Sequence, residues 1–327
     1  MNTISLCMIV RDGEEAFLRN CLRNAREGVE ECILVVDLET PALRSIADEF
    51  QCTLVVHPFQ DFASQRNVSL REATQDWILV LDADEVLAPE GLQRLRALAQ
   101  GEGKAFLLDQ LNYTKDTRQT RFVPANNMVS RQYGFPGFFP VPCVRFFRRL
   151  PGIEFTRRVH ELVEESLERQ GIRPIPSGLE IHHLKALKGE AAIQQDELRY
   201  LALLEQELQD RPTAKAWFDK GTILLFTRQD PAAAAAAFEQ ALLREPGFQP
   251  ARMNLAYAYA REGAWDKALA QYLRLPPSFP VLLGRGTCLF RLGKRAAAAQ
   301  AFQEAGRREP PRAQEAAQAF QALQASL

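Results

Sequence analysis

The stretch Trp77-Ile78-Leu79-Val80-Leu81-Asp82-Ala83-Asp84-Glu85 is continuously apolar as far as Leu81 and then turns abruptly acidic. An apolar run without alternation suits a central strand covered on both faces. Its end would project polar groups into the crevice where open α/β sheets receive ligands. Asp82 and Asp84 stand two apart, so one can reach a nucleotide or its ribose while the other coordinates a divalent cation bridging a diphosphate. Hard oxygen ligands suit Mg²⁺ or Mn²⁺. Acidic pairs also occur in ordinary solvated turns, so the surroundings of the triplet decide its reading.

Upstream of the triplet, strands are expected at 4–10, 31–37 and 53–57 and helices at 14–27, 42–50 and 62–73. That alternation implies a mostly parallel sheet. Beyond Gly101 it loosens, and 104–111, 119–123 and 144–149 read as strands of a mixed region, with a short strand at 178–181. The segment from Tyr133 to Pro142 is rich in Pro and Gly and is expected to be a loop.

Composition limits the function classes. With 327 residues, 46% hydrophobic and 25% charged, the chain is ordinary globular material long enough for two domains. Its 40 basic and 41 acidic side chains leave a formal net charge of -1, without the basic footprint of a nucleic-acid binder. Six scattered cysteines form no C-x-x-C pair and read as reduced core thiols. The first apolar strand lacks a basic leader and is cut short at Arg11 and Asp12, and no later run reaches membrane-spanning length. A cytoplasmic protein is expected.

After about Gly189 the pattern becomes helical and periodic. Ala234, Phe238, Ala241 and Pro246 recur 34 residues later as Ala268, Tyr272, Leu275 and Pro280. Gly286, Leu289, Gly293, Ala298, Phe302, Ala305 and Pro310 mark a third unit, but Tyr272 to Phe302 falls four residues short of the period, so an altered junction is expected there. The period and the small residues resemble tetratricopeptide repeats.

Two further segments bear on the acidic triplet. Asp61-Phe62-Ala63-Ser64-Gln65-Arg66-Asn67 opens a helix with an arginine one turn in, an arrangement suited to a nucleotide or diphosphate, although Asp61 can equally be a simple N-cap. The second strand ends at Val35-Val36-Asp37, where a carboxylate can accept from a base imide or ribose hydroxyl, or merely start a turn.

In order, Ser5-Leu6-Cys7-Met8-Ile9-Val10-Arg11, Val35-Val36-Asp37, the Asp61–Asn67 segment and Leu81-Asp82-Ala83-Asp84-Glu85 resemble family 2 glycosyltransferases of the GT-A fold. Val144-Arg145-Phe146-Phe147-Arg148-Arg149, Val159-His160-Glu161 and Ile181-His182-His183 are similar to later blocks of the branch that carries C-terminal tetratricopeptide repeats. The resemblance implies a GT-A domain at 1–188 and a helical repeat domain at 189–327. It places Asp37 and Arg66 at the donor base, Asp82 near the ribose or metal, and Asp84 on a Mn²⁺ or Mg²⁺ ion. His183, or secondarily His160, would complete the metal site. For inverting transfer Glu161 is the expected base and Glu85 the alternative.

The implied activity is transfer of a sugar from a nucleoside-diphosphate donor, UDP-linked in the first instance, to a saccharide, peptide or protein acceptor. The repeats would serve acceptor docking or self-association. One departure stands out: the family's Asp-x-Gly-Ser-x-Asp is replaced by Asp37-Leu38-Glu39-Thr40-Pro41-Ala42, leaving Glu39 as a possible substitute. That change favours an alternative reading as a degenerate transferase acting as a repeat-mediated binding module. A dinucleotide-dependent oxidoreductase is disfavoured, because the first strand lacks a G-x-G-x-x-G turn.

Overall fold

The computed structural model describes residues 2–117 and 121–325. The chain divides into two compact units, Met1–Ile193 and Gln194–Leu327.

The first unit opens with β1 (Ile4–Val10), α1 (Glu15–Ala25), β2 (Glu31–Val36), α2 (Pro41–Glu49), β3 (Thr53–Val56), α3 (Phe62–Glu72) and β4 (Trp77–Val80). These strands pair in parallel in the order β3-β2-β1-β4. The continuous apolar runs have the cause the sequence suggests. Leu6, Met8, Leu34, Trp77, Leu79 and Leu81 enter one core, while Cys7, Ile33, Val35, Ile78 and Val80 enter another. Successive strand residues face opposite sides, so burial on both faces removes the alternation.

Local signals fix the helix starts. Thr40 caps α2 by accepting from the Leu43 amide at 3.2 Å, and Pro41 takes the first helical position, where its missing N–H costs nothing. Asp61 and Ser64 form a reciprocal capping box at the start of α3.

The remainder comprises β5 (Glu85–Leu87), α4 (Pro89–Ala99), β6 (Ala105–Thr114), β7 (Val123–Pro124), α5 (Met128–Tyr133), β8 (Gly137–Arg148), α6 (Glu164–Arg169) and β9 (Ile175–His183). The sheet continues β4-β8-β6-β9-β5, with β7 beside β8. Trp77 stacks on Phe146 across the β4–β8 pair at 4.6 Å between centroids, a contact worth about 0.5–1.5 kcal/mol beyond the area it buries. The result is a mixed sheet with a parallel first half, followed by the helical repeats, as the GT-A resemblance implies.

The expected loop at 133–142 is a correction: from Gly137 onward it is strand β8. Pro140 faces Leu111 and Pro142 faces Asp109 across the antiparallel ladder to β6. The two prolines are two apart, so both missing N–H groups fall on one side of the strand and the alternate residues remain able to bond β6. On the other side β7 reaches only Gly137 and Phe138, and β4 only Phe146 to Arg148, so these prolines lie where no ladder is needed. The strand expected at 119–123 lies partly outside the described residues; Val123–Pro124 is its described end.

The second unit is helical. After α7 (Glu190–Asp210), whose first turn precedes the unit boundary, come α8 (Ala214–Phe226), α9 (Pro231–Arg244), α10 (Gln249–Arg261), α11 (Trp265–Leu273), α12 (Phe279–Arg291), α13 (Arg295–Arg308) and α14 (Ala313–Ala325). The shortened third spacing arises at α11, which has 9 residues where α9 and α13 each have 14. Pro276 and Pro277 follow it closely, and a residue before proline disfavours the helical conformation. Gly221 and Gly286 admit the rings of Phe238 and Phe302 from neighbouring helices; a Cβ would lie 2.6 and 2.7 Å from them.

All six cysteines are free. No helix among the described residues is long and apolar enough to cross a membrane.

Candidate active site

β4 ends at Val80, and the turn beyond it is closed from within. The Glu85 amide donates to the Asp82 carbonyl at 3.0 Å, while the Asp82 amide donates to Glu85 Oε2 at 2.8 Å. The triplet therefore emerges in a fixed orientation at the carboxyl end of the parallel strands.

Asp82 is held from two sides. Arg66 Nη2 donates to its Oδ1 at 2.7 Å and Arg145 Nη2 to its Oδ2 at 2.9 Å. Arg66 also donates through Nε to Glu161, and Arg145 Nη2 reaches Glu85 Oε1 at 3.1 Å. Burial opposes the charge on Asp82, but the two guanidinium groups outweigh it and hold the carboxyl well below the usual carboxylate range. Burial pushes Glu85 up despite Arg145. Glu85 has no exposed surface and is bonded by Gln110 as well, so its carboxylate secures the turn.

Asp84 has different partners. His183 Nε2 lies 3.4 Å from its Oδ2, and Lys188 Nζ lies 2.9 Å from the same oxygen. The cross-strand register explains His183: the end of β9 lies between Asn112 of β6 and Glu85 of β5. Its Nδ1 is 2.7 Å from Asn112 Oδ1, an acceptor, so Nδ1 carries a proton and Nε2 turns toward Asp84. Burial lowers the His183 pKa, but the hydrogen bond and charge of Asp84 reverse this and raise it. For Asp84 burial raises the pKa, and His183 and Lys188 together bring it down. His182 faces the opposite side of the strand, with Nδ1 2.9 Å from the Tyr113 hydroxyl.

The remaining expected residues are more dispersed. Asp37 is half-buried just past the end of β2. Glu39 forms a two-pronged pair with Arg44, 2.8 Å for each bond, on an exposed part of the loop. Asp61 serves as the cap of α3, with Arg158 Nη1 3.4 Å from its Oδ2. Glu161 and His160 lie in a turn closed by Thr156 and Leu162. Glu161 comes back to Arg66, whereas His160 is exposed, with a left-handed φ of 51°. Asp84 and His183 are brought together; His160 does not join them in a cluster. Among the described residues no three His, Cys, Asp or Glu side chains are grouped to hold a metal ion.

Arg145, Asn112, Gln110, Glu14 and Lys188 were not singled out by the sequence for these roles. Arg145 lies inside the quoted Val144–Arg149 block and Lys188 shortly after the histidine pair, so proximity to motifs was a usable signal for both. Asn112, Gln110 and Glu14 carried none, because only strand register and the β1–α1 connection bring them in.

Comparison with known proteins agrees with the fold of the two units. Residues 5–151 match the model of glycosyl transferase family 2, and residues 225–281 match that of the tetratricopeptide repeat. A tetratricopeptide repeat-containing protein of Synechococcus elongatus is 36% identical over 169 residues, 51% of this chain and 37% of that protein. A Rickettsia typhi protein named as an uncharacterized glycosyltransferase is 25% identical over 134 residues, 39% of this chain and 46% of that one. The chain thus spans less than half the length of either relative. Among solved structures, MamA is 21% identical with a TM-score of 0.32, covering 36% of this chain and 67% of that one. The chain therefore carries a glycosyl transferase family 2 domain at residues 5–151 and a tetratricopeptide-repeat segment at residues 225–281.

Proposed function

We propose that the first unit transfers a sugar from a nucleoside-diphosphate donor, UDP-linked in the first instance, to a nucleophile on a saccharide, peptide or protein acceptor, with inversion. The observation that carries this reading is the convergence of Asp82, Asp84, Arg66, Arg145 and His183 at the carboxyl edge of the parallel strands, where such sheets receive nucleotides. Arg66 Nη1 and Arg145 Nε are buried without a hydrogen-bond partner among the described residues.

In this reading Asp37 and Asp82 orient the nucleoside, and the guanidinium pair keeps Asp82 ionised. Glu161 is the base: it takes the acceptor proton as the nucleophile bonds the anomeric carbon and the bond to the diphosphate breaks. Glu85, without exposed surface, is the weaker choice. The Mn²⁺ or Mg²⁺ ion implied by the resemblance does not fit the residues as arranged. Asp84 Oδ2 and His183 Nε2, 3.4 Å apart, are spaced as two ligands of one cation would be, but an ammonium already sits 2.9 Å from the same Asp84 oxygen and occupies that place.

Calorimetry with UDP-glucose, UDP-N-acetylglucosamine and GDP-mannose, followed by assay of released nucleoside diphosphate, tests the proposal. Nucleoside-diphosphate release that disappears in Glu161→Gln while donor binding persists is expected; a chain that binds none of the three refutes it. One observation favours a second reading, a dormant transferase whose repeats bind a protein. The loop after Asp37 lacks the family's glycine and second aspartate, and Glu39 is taken up by Arg44. Donor binding without any turnover, even to water, would select that reading.

A further inference from the structure

We infer that Lys188 is the resident cation of the donor site, its ammonium taking on Asp84 the place that a divalent metal would otherwise fill and receiving the donor diphosphate there. The inference rests on the donor reading above and deepens it. Lys188 ends a short 3-10 turn, Lys185–Lys188, immediately after β9. That turn is pinned to the acidic triplet itself, because the Leu184 amide donates to the Asp84 carbonyl at 2.8 Å.

The seat of the ammonium is built from two loops at the same edge of the sheet. Asp84 Oδ2, after β4, lies 2.9 Å from Nζ, and Glu14 Oε1, in the connection after β1, lies 2.8 Å away. The side chain is only 12% exposed, and Nζ sits 5.8 Å from the centre of the Phe17 ring. Two carboxylates within 2.9 Å of Nζ pair the side chain as an ammonium. An ammonium has three N–H donors. Two are directed at carboxylates, and the third is available to a phosphate oxygen. Lysine is a compact point charge suited to phosphate.

The charges around Asp84 agree with this assignment. Arg66 and Arg145 serve Asp82, Glu85 and Glu161, whereas Asp84 meets Lys188 and His183, and Glu14 meets Lys188 and Arg11. A dication added at Asp84 would meet the ammonium at contact range, so metal and Lys188 are alternatives at one position.

The test is calorimetric titration of the full chain with UDP, GDP and inorganic pyrophosphate, in EDTA and again with Mn²⁺. The wild-type chain should bind in EDTA, and Mn²⁺ should change Kd by less than about threefold. Lys188→Ala should weaken binding in EDTA at least about tenfold, as loss of a charge-assisted bond implies. It should also gain a Mn²⁺ requirement, because Asp84 and His183 are then released to a metal. Lys188→Arg, which keeps the charge but not the compact shape, should bind in EDTA more tightly than Lys188→Ala. If Lys188→Ala does not fold by circular dichroism, Lys188→Met, which keeps the stem against Phe17, replaces it. Wild-type binding that appears only with Mn²⁺, or EDTA binding that loss of the ammonium leaves unchanged, overturns the inference while sparing the donor reading. Failure of all three probes in both conditions refutes the donor reading and this inference with it.

Discussion

Arg66 in the first unit and Phe238 in the second are both buried, yet they organise their surroundings by opposite physics. Arg66, 4% exposed, ties together groups 16 and 95 positions away, Asp82 and Glu161, through directed charge-assisted bonds. Phe238 fills the space that Gly221 leaves on the preceding helix, a contact between neighbours in sequence that needs only shape. The first arrangement concentrates charge where a polar ligand can use it, at the risk of stranding a partner if one member is lost. The second spreads its stabilisation over a repeat and tolerates change wherever volume is kept.

The sharpest way to break this comparison is Arg66→Ala. It leaves Glu161 without its partner and Asp82 with Arg145 alone, and stranding a largely buried charge costs up to about 3–5 kcal/mol. Urea unfolding should show a loss on that scale; a near-neutral result would mean that the cluster is solvated and not structural. In the repeat unit, Gly286→Ala places a Cβ 2.7 Å from Phe302 and should cost about 1–3 kcal/mol by overpacking. Gly247→Ala, with nothing within 4 Å, is the control and should stay within about 0.5 kcal/mol. Equal effects at the two glycines would remove the packing explanation.

A pH series sharpens the electrostatic half. The folded pKa values of Asp82 and Asp84 lie below their usual 3.8, so their stabilisation is complete above that value and is lost as pH falls through the folded values. His183 runs the other way. Its folded pKa lies above the usual 6.5, so its contribution is complete below that value and is lost as pH rises through the folded one. His183→Gln should therefore flatten the decline on the alkaline side, by about 1.4 kcal/mol for each pH unit separating the two pKa values. An alkaline limb unchanged in the variant would detach His183 from Asp84. The smallest effect is expected from Glu39→Ala, whose pair with Arg44 is solvent-exposed. The unfolding midpoint should not move, and weakened UDP binding would instead show that Glu39 reads the donor.

What the sequence determined by itself was whatever depends on near neighbours. The run from Trp77 to Leu81 shows a strand buried on both faces because alternation is lost only there. Thr40-Pro41 and Asp61 to Ser64 mark helix starts because a cap acts within one turn. The spacing from Phe238 to Tyr272, and its shortfall before Phe302, shows a repeat and its altered junction because each unit packs on the next. The single motifs gave a placement and not a role: Asp84 and His183 do meet at one sheet edge, beside Asp82.

Tertiary structure alone decided how those residues are partnered. Two prolines in 137–142 argued for a loop, but the ladder offered by β6 outweighed their local preference. Asn112 orients His183 only because β9 inserts between β6 and β5. Lys188 and Glu14, 174 positions apart, meet over Asp84 because the sheet brings the ends of β1, β4 and β9 to one place. Charge pairing acts through space, and no local pattern in the chain encodes which distant carboxylate an ammonium will find.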